Sequence, residues 1–318
     1  MNNAVMFISY MILHTFALLF LCVLFDTMEE IMMGRAAGRA SPSFSQLIYG
    51  RIMLLHLPET EAAGTAILSF QWMPLLALTL SLSILSSLSV IFVPVINGFD
   101  GDLVYITLLL CLLTGCVAIG CLASPTKRAQ AAGEFELIQL LGQGTYFILL
   151  FSSVGWYAVQ RGVPGELYSP LFYATNSLWS LSNGAGKMGF LFFAAAFFVM
   201  VPSKGRKGVS YPIVGDYRGK GLLLMSLAVS LRQLVLYALF VLVFFPGLLL
   251  NTSDDFTIIM SLLLFWGIIG LVRFLGDMFA RYLSSVSLNL QRPTPAFFIM
   301  LSFSAIGMLL LALDVLAW

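Results

Sequence analysis

The sequence predicts an all-α membrane protein of about eight transmembrane helices, with an amphipathic surface helix after the first. Three observations carry that class. Of 318 residues, 60% are apolar and only 10% are charged, far fewer charges than the roughly one quarter found in soluble domains. Apolar runs long enough to cross a hydrocarbon core as helices recur along the chain. The basic residues fall almost entirely in alternate inter-run loops.

The expected spans lie near 5–25, 74–96, 103–123, 137–159, 188–202, 221–246, 257–275 and 295–317, forming a single integral membrane domain over 1–318. The first run lacks the basic leader of a cleaved signal, and Asp26, Glu29 and Glu30 follow it instead of a small-residue cleavage site. From Ser43 to Leu57, Phe44, Leu47, Ile48, Ile52 and Leu55 recur at helical spacing, with Arg51 beside the apolar stripe. This pattern predicts a helix on the membrane surface or one docked on the bundle. The fifth span is the shortest, cut off by Pro202 and a basic loop, and it follows a non-spanning stretch, 160–186, carrying Tyr168 and Trp179.

Eight crossings place thirteen of the 16 Lys and Arg residues in loops of one side. Only Arg161 and Lys187 fall on the other, and Arg232 lies within the sixth span. By the positive-inside rule the basic side faces the cytosol of a bacterium or the matrix of a mitochondrion.

Little in the chain offers chemistry of its own. The net charge of +1 gives no footprint for nucleic acid. Cys22, Cys111, Cys116 and Cys121 lie in apolar runs at spacings that match neither zinc nor iron–sulfur ligation, so they read as packing residues and no metal site is expected. His14 and His56 are the two histidines, too few and too separated for a haem. Ionisable groups inside a bilayer are costly and are functional candidates by default. Here they are Arg232, Glu136 near a boundary, and Asp314 near the end of the last span, where it is expected to reach water. So few intramembrane acids argue against an autonomous pump. The basic face is richer: Glu29 and Glu30 start a loop that continues through Arg35 and Arg39. Glu134 and Glu136 open the fourth span, and a Gly-rich basic segment from Lys204 to Lys220 contains Asp216. These loops are either plain solvated surface or a patch that docks a soluble partner and admits an amphiphile.

The loop after the first span reads Glu29-Glu-Ile-Met-Met-Gly34-Arg-Ala-Ala-Gly-Arg39-Ala-Ser-Pro42-Ser43. It resembles the E-R-K-x-x-G-x-x-Q-x-R-x-G-P-N signature of subunit 1 of mitochondrial complex I, the H subunit of the bacterial enzyme, with Glu29, Gly34, Arg39 and Pro42 in register. Leu271-Val-Arg273 resembles the family's W-I-R. Phe279-Ala-Arg281-Tyr282 running to Pro295 is similar to its R-F-R-Y motif and the proline beyond, with one gap. Gly215-Asp216-Tyr217 is similar to its E-Y ahead of the sixth span. The membrane subunit of energy-converting hydrogenases is a related family, and Ser230-Leu-Arg232-Gln-Leu-Val235 resembles its S-L-K-Q-L-V. An unrelated multi-pass carrier or assembly protein is the third reading of the composition.

The resemblance implies a membrane subunit that forms the quinone chamber of a respiratory complex I and joins its redox arm to its proton-pumping arm. Glu29, Arg35, Arg39, Asp216, Tyr217 and Arg273 are the chamber candidates it implies, and Asp216, Glu136 and Arg232 the coupling candidates. It implies activity only within a proton-translocating NADH:ubiquinone oxidoreductase, with no catalysis by the isolated chain. No covalent cofactor or metal is expected; ubiquinone is the substrate, and iron–sulfur clusters sit in partner subunits. The implied partners are soluble iron–sulfur subunits on the basic face, small membrane subunits and lipid, in the mitochondrial inner membrane or the bacterial cytoplasmic membrane. The chain departs from the family where acids are expected. Val199-Met-Val-Pro-Ser-Lys-Gly-Arg-Lys-Gly208 is basic, Gln143 or Gly144 replaces a glutamate of the fourth span, and Val229 or a neighbour replaces one of the sixth. Coupling would then lean on Asp216, on water, or on acids of neighbouring subunits.

Overall fold

The computed structural model describes residues 2–36, 43–57, 67–89, 102–124, 126–163, 165–176, 178–201, 217–245, 255–285 and 293–317, and every regular element among them is helical. In chain order the helices are α1 (Asn2–Ala36), α2 (Phe44–Met53), α3 (Ile67–Ser89), α4 (Leu103–Leu122), α5 (Lys127–Gln160), α6 (Pro170–Thr175), α7 (Leu178–Leu181), α8 (Gly184–Met200), α9 (Gly219–Phe244), α10 (Asp255–Ser285) and α11 (Pro293–Leu316). Among the described residues, five segments are long and apolar enough to cross a bilayer: Gln71–Leu88, Leu103–Leu122, Ala129–Gln160, Gly219–Phe244 and Pro295–Leu316. Gly184–Met200 is apolar but shorter. Large apolar side chains such as Leu75, Leu108, Leu141, Ile148 and Leu309 stand exposed on these helices. A water-facing surface would not carry so much apolar area, and a bilayer covers it without cost. The chain is a multi-pass helical membrane protein.

Several helices outrun the apolar runs that predict them. α1 continues to Ala36, because residues 26–33 contain no glycine or proline and several good helix formers. Asp26, Glu29, Glu30 and Arg35 therefore ride on a helix, not on the loop the sequence suggests. α5 begins at Lys127, before the apolar run, and α10 continues to Ser285, carrying Arg273 and Asp277 with it. α3 starts earlier than expected, at Ile67, and holds Pro74 inside, whereas the sequence reading begins a span at that proline.

The helices group into two compact units. One comprises Met1–Ser89, Leu112–Glu136 and Gly208–Val235, and the other Val90–Cys111, Leu137–Lys207 and Leu236–Trp318. In the first unit, α3 presents Ala77, Ser81, Ile84, Leu85 and Leu88 as a buried stripe at helical spacing. Ser81 donates to its own helix at Ala77 O, 2.8 Å, and reaches Ala228 O of α9 at 3.4 Å. Gly120 lets α4 approach α9 closely, since a Cβ there would stand 2.8 Å from both Met225 Cε and the Tyr217 hydroxyl. α2 opens with a reciprocal cap: Gln46 N donates to Ser43 Oγ and Ser43 N donates to Gln46 Oε1.

Aromatic side chains fill the second unit. Phe197 of α8 stacks on Phe240 of α9 at 4.5 Å between centroids, and Tyr146 of α5 donates to Phe193 O at 3.0 Å. α8 and α11 cross where Gly189 and Gly307 face each other; a Cβ on Gly189 would lie 2.9 Å from Gly307 O. α5 ends where Gly162 takes φ 67, with Val163 N returning to Ala158 O and Gly162 N to Val159 O. Glycine adopts that left-handed geometry without a Cβ clash and closes the helix.

Candidate functional site

α5 and α9 bring Glu136 and Arg232 together inside the first unit. Arg232 Nη1 donates to Glu136 Oε2 at 2.6 Å and Nη2 to Oε1 at 3.0 Å, and each residue is 1% exposed. The planar guanidinium fork satisfies both carboxylate oxygens at once, a geometry lysine could not supply. Two ionised groups buried this deeply are tolerated only as a pair, since either alone would cost several kcal/mol. These residues are two of the three coupling candidates, and the sequence gives no sign that they touch, being 96 positions apart.

A second polar centre in the same unit lies around Asp26 of α1. Ser230 Oγ of α9 donates to Asp26 Oδ2 at 2.5 Å, and Arg51 Nη2 of α2 approaches the same oxygen at 3.4 Å. Asp26 is 5% exposed. Sequence reading placed it only in an acidic run after the first span. The signal that could have found it is the alternation of acids with Thr27 and Met28 at helical spacing, continuing α1 beyond its apolar run.

The described chamber candidates lie on α1, just before α9 and on α10. Glu29 is buried on α1, while Arg35 is exposed at its end. Tyr217 is buried, its ring against Gly221 and its hydroxyl beside Gly120. Arg39 and Asp216 fall outside the described residues, as does most of the basic segment Val199 to Gly208. Arg273 is buried on α10 in the second unit, one turn before buried Asp277. Gln143 and Val229, at the positions where the sequence resemblance leads one to expect acids, are buried.

Asp314 corrects the reading that it reaches water. It is fully buried in the second unit, accepting from Arg161 Nη2 at 2.5 Å, Tyr157 Oη at 2.8 Å and Asn183 N at 3.4 Å. Arg161 also donates to Asp314 O at 3.2 Å and lies over the Tyr157 ring. The end of α5 and the start of α8 wrap the end of α11, so an acid near a helix end is sealed by protein. With Asp26, Glu29, Glu136, Asp277 and Asp314 all buried, ionisable groups inside the helical part are more numerous than the apolar runs suggest. Asp26, Glu29, Glu136 and Asp277 lie where helices extend past those runs, and Asp314 lies within one.

No protein-family model matches the chain, and no curated relative does. Among solved structures it is similar to a chain of the membrane-bound sulfane sulfur reductase, described as an archaeal respiratory membrane complex. The TM-score is 0.66 at 16% sequence identity, covering 98% of this chain and 100% of that one. The likeness therefore runs end to end and shows the fold, a helical membrane architecture shared with a chain of that complex.

Proposed function

We propose that the chain is a membrane subunit of a multi-subunit respiratory complex, in which the buried Glu136–Arg232 pair couples redox chemistry to charge movement. The observation that carries this is the pair itself. A bidentate, fully buried ion pair is a weak source of stability, because replacing it with apolar residues usually costs nothing. A membrane protein that retains one has a use for a charge pair inside its fold. The end-to-end likeness to a chain of a respiratory membrane complex supports the same reading.

The finer reading is the quinone-chamber subunit of a complex I. In it, Glu29, Arg35 and Tyr217, with Arg39 and Asp216, line the approach of a quinone headgroup. The basic loops face the matrix or cytosol, where soluble iron–sulfur subunits dock. An apolar passage for the tail and polar donors for the headgroup are what such a ligand needs, and a cation such as Arg39 would stabilise the negative charge of reduction. A second reading, the membrane subunit of a hydrogenase-type or sulfur-reducing complex, is favoured by the name of the structural neighbour and by Ser230-Leu-Arg232-Gln-Leu-Val235.

Purification of the tagged chain from its native membrane in mild detergent tests both. The proposal predicts a soluble iron–sulfur partner in the purified assembly, with quinone reductase activity for the finer reading and a nickel-bearing or sulfur-reducing partner for the second. Recovery of the chain without any redox partner would contradict both.

A further inference from the structure

We infer that the surface helix α2 is linked to the buried Glu136–Arg232 pair through Asp26 and the Ser230 turn of α9, so that the position of α2 regulates the pair. The inference rests on the pair being the coupling element proposed above. α2 buries none of its side chains, and Tyr49, Ile52 and Met53 stand exposed along it. A ten-residue helix held so lightly cannot keep its place by propensity alone. Its polar tie to the bundle is Arg51, at the last turn, on Asp26 of α1.

Asp26 does not end the connection. The oxygen that receives Arg51 also receives Ser230 Oγ of α9, so one carboxylate joins the surface helix to the helix that carries Arg232. Ser230 and Arg232 are two residues apart and project roughly 200° from one another around α9. Asp26 thus grips one side of a turn whose other side is gripped by Glu136. Ser81 of α3 touches the same turn at Ala228 O. Releasing Arg51 leaves Asp26 more dependent on Ser230, and any shift or rotation of that turn moves the guanidinium that must meet both oxygens of Glu136. A bidentate pair tolerates little misalignment, so a small displacement at α2 becomes a change in the pair's hydrogen bonding.

The test needs no turnover, so it is decided separately from the function proposed above. The full chain, with its four cysteines replaced, carries a nitroxide at Tyr49→Cys on the exposed face of α2 and is placed in lipid nanodiscs. Arg51→Gln should raise the ratio of mobile to immobile spin label by up to about fivefold, the most that a part-exposed ion pair supplies. Ser230→Ala should shift the label toward the immobile population although Ser230 sits on α9, because Asp26 then depends more on Arg51, and Ser230→Thr, which keeps the hydroxyl, should leave the spectrum unchanged. Because coupling is reciprocal, the paired change Glu136→Gln with Arg232→Met should also alter the spectrum. A label that responds to Arg51→Gln alone, or to none of these, overturns the link. If the paired variant does not fold, the contrast between Ser230→Ala and Ser230→Thr still decides it.

Discussion

Arg232 of α9 meets Glu136 of α5 through two parallel hydrogen bonds, 2.6 and 3.0 Å long, with both residues 1% exposed. The pair is sealed, bidentate and internally neutral. That combination makes the net charge of the site zero while both groups stay matched, and exposes a large electrostatic cost the moment they separate.

Glu136→Gln should therefore destabilise the chain by about 3–5 kcal/mol, because it leaves Arg232 charged and buried without a counter-ion. Replacing both residues, Glu136→Gln with Arg232→Met, should recover most of that loss. Thermal unfolding followed in detergent checks both, and a double variant no more stable than Glu136→Gln would mean that the pair also provides packing.

Arg232→Lys tests the geometry apart from the charge. A single ammonium cannot bond both oxygens in the fork arrangement, so a partial loss of about 1–2 kcal/mol is expected, less than for Glu136→Gln. Equal stability of Arg232→Lys and wild type would show that the second hydrogen bond is dispensable.

The Asp314 cluster should behave as a structural clamp. Asp314→Ala strands Arg161, whose side chain is 4% exposed, and removes an acceptor from the backbone at Asn183, with a predicted cost of about 3 kcal/mol. Gly186→Ala should cost about 1–3 kcal/mol, since the new Cβ would lie 2.8 Å from Asp314 Oδ2 and from Ser182 Cβ. Unfolding midpoints of the two variants check this, and an unchanged midpoint for Asp314→Ala would remove the clamp.

Sidedness is checked by impermeant thiol labelling of single cysteines in sealed vesicles. Arg35→Cys and Lys127→Cys should react from one side and Lys187→Cys from the other, as eight crossings require. Labelling of Lys127→Cys and Lys187→Cys from the same side would contradict that topology.

Much of the fold is legible because a bilayer imposes a simple rule: where the apolar runs fall on described residues, they lie largely in helices. The charged extensions of those helices are less legible. Apolar periodicity stops at Phe25, yet α1 continues to Ala36 and buries Asp26 and Glu29. Hydropathy marks where lipid is, not where hydrogen-bonded backbone ends. Arg232 announced itself by lying within an apolar run, whereas the partnerships Glu136–Arg232, Asp26–Ser230 and Asp314–Arg161 join residues 96, 204 and 153 positions apart. Spacing along one helix cannot encode such contacts; only packing reveals them. Asp314 looks water-accessible in the sequence for that reason, since the groups that seal it come from α5 and the start of α8.

Coupling of redox work to charge movement through the buried Glu136–Arg232 pair is read from a single ratio. In sealed vesicles containing the intact complex, proton translocation is measured against electron flux for wild type and for Glu136→Gln with Arg232→Met. In the paired variant, electron flux should persist while the protons moved per electron fall sharply. An unchanged ratio at normal flux would contradict it and leave Glu136 and Arg232 as a structural pair.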